Sequence, residues 1–188
     1  MPTSGLAGIH TIPLGAHLCT FYREPKEFLR IAASFLSAGL MDNELCLWIL
    51  PAPLTLQIAI EELSRHGLDV QRLQATKQLQ IMSAHDCWFS TMPFDVERSL
   101  MNLMSVSALA DQLGYTSVRA VGGPGPFLSE DTRQAFMRYE DRATEILAEH
   151  PCIGLCCYPS TSSATDMFDI MSTHPGALVR AHAGWSSI

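Results

Sequence analysis

The sequence lacks a phosphate-cradling loop. An α/β nucleotide-binding chain places glycines, a Lys and a Ser or Thr between its first strand and first helix, so that successive N–H groups converge on the anion. Here the strand-like stretch Gly15-Ala16-His17-Leu18-Cys19-Thr20-Phe21-Tyr22 runs directly into Arg23-Glu24-Pro25-Lys26-Glu27. Tyr22 is bulky, Arg23 is charged and Pro25 has no N–H to donate, so the turn predicts binding without nucleotide hydrolysis.

Charge is scarce, and basic charge most of all. Charged residues make up 16% of the 188, and 12 basic against 19 acidic side chains give a net charge of −7. An acidic surface repels phosphate backbones, which argues against direct contact with nucleic acid. With 47% hydrophobic residues the chain is no disordered segment, and its length suits one domain, residues 14–188, burying roughly 70% of its unfolded surface. No apolar run reaches bilayer length and Met1–Gly8 has no basic n-region, so no membrane partner and a cytoplasmic location are expected. None of the six cysteines forms a Cys-x-x-Cys pair, and they read as buried thiols in a reducing compartment.

Catalytic signatures are missing too. There is no Gly-x-Ser-x-Gly elbow, no His-Glu-x-x-His helix and no pair of carboxylates near a plausible pocket. The nearest thing to an acid/base pair is His85-Asp86, and neighbours on one loop seldom present their side chains to each other. No enzyme and no cofactor is therefore expected.

What is present is an alternation of strands and helices. Pro25 opens a helix whose Phe28, Ile31, Ala32, Phe35 and Leu36 repeat at helical spacing up to Gly39. Glu44–Leu50 is a continuous apolar strand closed by Pro51 and Pro53. A helix over about 54–66, a strand over 79–83, a helix over about 94–113 ended by Gly114 and a strand over 117–121 follow. Ser129 caps the next helix, Ile153–Tyr158 is a further strand, and a short helix near 164–171 and a strand near 177–181 complete the count. The fold class is α/β: a three-layer, mostly parallel sheet with helices on both faces. Residues 1–13 read as a loosely held lead-in.

In an open parallel sheet, ligands bind beyond the carboxyl ends of the strands. That rule selects Tyr22 and Arg23 after the first strand, His85, Asp86 and Trp88 after the third, Gly122 and Gly123 after the fourth, and Tyr158 at the end of the fifth. Aromatic walls with a few polar groups suit a small organic ligand. The irregular segment 84–93 is the element expected to reorder on binding. Gly122-Gly123-Pro124-Gly125-Pro126 is no phosphate cradle, because its prolines remove donors and no Lys follows. Arg119 inside a central strand must be paired, with Glu140 on the following helix as the expected partner and anion recognition as the alternative. His17 and Cys19, two apart, share a strand face and are possible ligands for a soft metal or haem iron, although a satisfied core histidine is the simpler reading. Cys156 and Cys157, adjacent in an apolar strand, point to opposite faces and read as inert.

Taken in order, His17-x-Cys19-x-x-Tyr22, Phe35-Leu36-x-x-Gly39-Leu40, Asn43-Glu44-x-Cys46-Leu47-Trp48, Gly114-Tyr115-x-x-Val118-Arg119, Tyr139-Glu140, Leu155-Cys156-x-Tyr158 and His174-Pro175 resemble the MEDS domain, a sensory module named for methanogens, methylotrophs and the dichloromethane-responsive repressor. The resemblance runs from His17 to about Trp185. It implies a RecA-like or KaiC-like core without nucleotide motifs, perception of a small hydrocarbon-derived effector, and signalling to a transcription regulator or histidine kinase. No helix-turn-helix or kinase output is recognisable alongside it. A ligand-free interaction module, or a metal- or haem-dependent sensor using His17 and Cys19, is the alternative, and the apolar composition is compatible with a homodimer.

Overall fold

Period-two alternation in the apolar strands leaves two faces to be covered, and both are. The computed structural model describes residues 1–127, 129–160, 163–181 and 184–188. In chain order the elements are β1 (Thr3–Leu6), β2 (Ile9–Thr11), β3 (His17–Tyr22), α1 (Pro25–Met41), β4 (Leu45–Leu50), α2 (Leu56–Arg65), α3 (Val70–Ala75), β5 (Leu79–Ser83), a π-helical turn (His85–Phe89), α4 (Val96–Leu113), β6 (Val118–Gly122), α5 (Glu130–Glu149), β7 (Cys152–Pro159), α6 (Ala164–Ser172), β8 (Gly176–Ala181) and β9 (Gly184–Ser187). Strands β3 to β9 form one seven-stranded sheet in the order β5-β4-β6-β7-β3-β8-β9. Every pairing in it is parallel except β8 with β9.

The pleat sorts the side chains. Cys46, Trp48 and Leu50 of β4, Val121 of β6 and Leu155 and Cys157 of β7 pack with α1, α2 and α3 on one face. Leu47 and Ile49 of β4, Cys19 of β3 and Tyr158 of β7 pack with Phe136, Tyr139 and Ala143 of α5 and Leu100 of α4 on the other. Phe28, Phe35 and Leu36 of α1 are fully buried, each worth about 1.5–3 kcal/mol relative to exposure.

The α1 start has the chemistry its sequence suggests. Glu24 is the N-cap residue and makes no side-chain cap bond, and Pro25 follows it. Glu27 in the first turn reaches back to accept from the Arg23 N–H at 2.8 Å. A carboxylate of this chain thus stands where a phosphate loop would offer its donors to an anion.

Three expectations are corrected. Residues 1–13 are no loose lead-in: β1 and β2 pair as an antiparallel hairpin, the Thr3 N–H donates to Asp42 Oδ2 at 2.9 Å, and Ser4 is fully buried. Two small elements, α3 and β9, were not anticipated, because a six-residue helix and a four-residue edge strand carry little periodicity. Most consequentially, Arg119 does not pair with Glu140. Arg119 shares a face with Val121, toward α1, and Glu140 lies below α5 on the opposite face. Arg119 Nε instead donates to Glu44, both side chains being at most 1% exposed. Its Nη1 donates to the Phe35 carbonyl at 2.9 Å, and the guanidinium lies 4.8 Å from the Phe35 ring centroid.

Gly39 is part of this arrangement rather than a helix stop, since α1 continues to Met41. A Cβ at position 39 would lie 2.5 Å from Glu44 Oε2 and 2.6 Å from Arg119 Nε, so only glycine lets the helix approach the buried pair. Truncating one partner strands a buried charge, whereas exchanging both for apolar residues does not. Arg119→Met is expected to cost about 3–5 kcal/mol in urea unfolding. Arg119→Met with Glu44→Leu should recover much of that loss, and Gly39→Ala should be destabilising on its own.

Candidate functional site

Glu140 lies in the inward stripe of α5 with Phe136, Tyr139 and Ala143, and is 1% exposed. A carboxylate taken so far from water needs donors. Tyr158 of β7 supplies one, its hydroxyl donating to Oε1 at 2.6 Å. Burial works against ionisation of Glu140. The hydrogen bond His17 can donate when protonated, the charges His174 and His17 carry in that form, and the Tyr158 bond oppose it and hold the carboxyl below its ordinary value.

Around Oε2 stand three more side chains. His17 Nε2 of β3 is 3.2 Å away, His174 Nε2, between α6 and β8, is 3.8 Å away, and Cys156 Sγ of β7 is 3.7 Å away. His17 Nε2 also lies 3.3 Å from Cys156 Sγ, and the two imidazole centroids are 4.2 Å apart. The sheet register makes this possible, because β3 and β7 pair with His17 opposite Gly154 and Cys19 opposite Cys156. Gly154 leaves the imidazole its space: a Cβ there would come within 3.1 Å of the His17 ring. Among the described residues, His17, Glu140, Cys156 and His174 form the group able to hold a metal ion, with ligand atoms all within 4.8 Å of one another.

Beside this group is a cavity of about 350 Å³ between the sheet and the α4–α5 pair. Its sheet side is opened by small residues, Ala120, Gly122 and Gly154, and its helical side is formed by Leu103 and Val106 of α4 and Tyr139, Ala143 and Leu147 of α5. Trp88 of the π-helical turn closes one end, and His17, Glu140 and Cys156 are its polar wall. Asp86, Asn102 and Ser105, also on the lining, are exposed and mark where it meets solvent. Trp88 is held edge-on against Phe136, with centroids 5.1 Å apart.

Residues 16–175 match the family described as the methanogen/methylotroph, DcmR sensory domain. The chain belongs to the MEDS family. No curated protein matches its sequence. Its fold is similar to that of a KaiC-like protein from the hyperthermophilic archaeon Pyrococcus horikoshii OT3, at TM-score 0.61 and 14% identity, over 100% of this chain and 86% of that one. At that identity the likeness carries fold alone: this MEDS domain has a KaiC-like α/β core. None of its described helices is long and apolar enough to cross a membrane.

The residues selected from the MEDS sequence by the strand-end rule are divided by the structure. Asp86, Trp88 and Gly122 line the cavity. Tyr158 reaches the same region only through Glu140 and lines instead a second, more polar cavity of about 380 Å³ beside Arg133, Phe127 and Asp166. Tyr22 packs on Phe28 on the α1 face, Arg23 and His85 are exposed, and Gly123 packs on the Cys157 carbonyl. The 350 Å³ cavity lies under helices on a sheet face, not beyond the strand ends, because small side chains in β6 and β7 leave room there. The alternative pairing of His17 with Cys19 is not the group the fold assembles: His17 is gathered with Glu140, Cys156 and His174, without Cys19. Burial raises the Cys19 and Cys87 thiols to about 12 and pushes Cys156 well up, so all three stay protonated and unreactive in the metal-free chain.

Burial, against the opposing charge of Glu140, lowers His174 to about 4. A depressed value means that the unfolded chain takes up protons before the folded one does. The contribution is therefore present above the ordinary histidine range and lost as pH falls toward 4. In chelator-treated protein the urea midpoint should decline between about pH 6.5 and 4, and His174→Gln should flatten that decline.

Proposed function

We propose that this MEDS domain is a non-catalytic sensor that binds a small, largely apolar organic molecule in the cavity between the sheet and α4–α5. The observation that carries the reading is the cavity itself: about 350 Å³, walled by aliphatic and aromatic side chains and carrying one polar wall at His17, Glu140 and Cys156. That is the composition of a ligand site in which rings and methyls supply contact and a few polar groups set orientation. The family description supports a sensory role, and the resemblance points to a hydrocarbon-derived effector. The α1 start, with Glu27 closing it, offers a nucleotide phosphate no place.

Transmission requires that the ligand favour one conformation over another. The π-helical turn and α4 are the elements suited to this, since Trp88 on the turn and Leu103 and Val106 on α4 touch the cavity while Met101 and Met104 of α4 face solvent. An output protein of the regulator or kinase class in the same compartment would read that face.

The test is thermal unfolding with a panel of small apolar molecules that includes dichloromethane and benzene. A binder at a hundredfold over its Kd adds about 2.7 kcal/mol, a rise of roughly 5–10 °C in Tm for a chain of this size. Ala143→Phe, which puts a ring into the cavity from α5, should abolish the rise while leaving the far-UV spectrum unchanged. No rise with any panel member, or a rise that survives Ala143→Phe, would overturn the assignment.

A further inference from the structure

The proton positions around Glu140 present a problem that a cation resolves. Thr144 Oγ1 lies 2.8 Å from the Thr173 carbonyl and 3.2 Å from the Glu140 carbonyl. Both are acceptors, so the single hydroxyl hydrogen is committed to a carbonyl. The contact of His17 Nδ1 with Thr144 Oγ1 at 2.7 Å must then be an Nδ1–H donation, which leaves Nε2 of neutral His17 as a bare lone pair. The same reasoning holds for His174: Nδ1 is 2.7 Å from the Ile170 carbonyl, so it donates, and Nε2 carries the lone pair. That Nε2 is buried without a hydrogen-bond partner. With both imidazoles neutral, two lone pairs, a carboxylate oxygen and the sulfur of Cys156 thus converge on one point, and the Cys156 S–H, 3.7 Å from Glu140 Oε2, is the one hydrogen left among the four atoms.

We propose that His17 Nε2, His174 Nε2, Glu140 Oε2 and Cys156 Sγ bind a divalent transition-metal ion of the zinc class. A tetrahedral ion with ligands at about 2.0–2.3 Å holds them about 3.3–3.8 Å apart. The measured separations are 3.2 Å for His17–Glu140, 3.3 Å for His17–Cys156, 3.7 Å for Cys156–Glu140 and 3.8 Å for His174–Glu140. Two nitrogens, one oxygen and one sulfur suit a borderline-soft ion. The outer contacts are those a metal site needs: each imidazole donates its other N–H to a fixed acceptor, and Tyr158 holds the far oxygen of Glu140. Because three of the ligands line the cavity, the ion would place a Lewis-acidic centre on an apolar chamber. A halide, hydroxyl or thiol of a small effector could reach it.

The experiment uses the full chain, stripped with chelator and reloaded with Zn²⁺ or Co²⁺, and no organic molecule. Failure here is therefore distinct from failure of the effector reading. The expected result is one ion per chain, with a thiolate-to-cobalt charge-transfer band beside intense tetrahedral visible bands. Cys156→Ser should remove the charge-transfer band, and Cys19→Ser should keep it. Thr144→Val, which frees His17 without touching a ligand, should weaken Zn²⁺ binding about 10–100-fold. Folding of each variant is read from its far-UV spectrum. No stoichiometric uptake by the folded chain, a charge-transfer band that follows Cys19 instead of Cys156, or full affinity in Thr144→Val would each overturn the site.

Discussion

Among the described residues two ionic groups are buried, and the pleat of the central sheet keeps them apart. On one side of β6 the Arg119 guanidinium and Glu44 close against α1. On the other side of the same sheet Glu140 gathers His17, Cys156, Tyr158 and His174. Each group sits in surroundings where an uncompensated charge would be costly. The side-to-side alternation of β-strand residues decides which carboxylate each cation meets, and it leaves the face under α5 with a concentration of lone pairs.

The layer order, the parallel strands and the helix boundaries were legible because each rests on a local pattern: long apolar runs, 3.6-residue stripes, and Pro25 or Gly114 as punctuation. The N-terminal hairpin was not, because Thr3–Leu6 is held by contacts with Asp42 and with α1 that lie far along the chain. The same limit applied to the ion pairs. A buried arginine in β6 and an inward glutamate in α5 each call for a partner, but they lie on opposite faces of the sheet and cannot meet. Val121, two residues after Arg119 and packed against α1, carried the information needed to separate them.

The polar site was partly visible in another way. His17, Glu140, Cys156 and His174 all fall inside the short fragments that carry the family resemblance, though spread from one end of the chain to the other. No spacing rule links them, since β3, α5, β7 and the α6–β8 turn come together only through the sheet order. The cavity was hidden for a different reason. The strand-end rule describes where ligands sit in open α/β sheets, and it takes no account of small residues such as Ala120, Gly122 and Gly154, which here leave a sheet face unfilled. Trp88, expected to project into a strand-end crevice, instead packs edge-on against Phe136 and lines the cavity on that face.

Gly154 has a consequence of its own. It bears no functional group, yet the nearest atoms a methyl at this position would meet belong to the His17 ring and Leu147, each at 3.1 Å. In the proposed metal site, where ligand distances hold to about 0.2 Å, even alanine would nudge the imidazole out of register while leaving the strand pairing intact. The room the imidazole has beside Glu140 and Cys156 is thus set by a residue with no functional group, and a lesion there would disturb the polar group while the sheet stays paired.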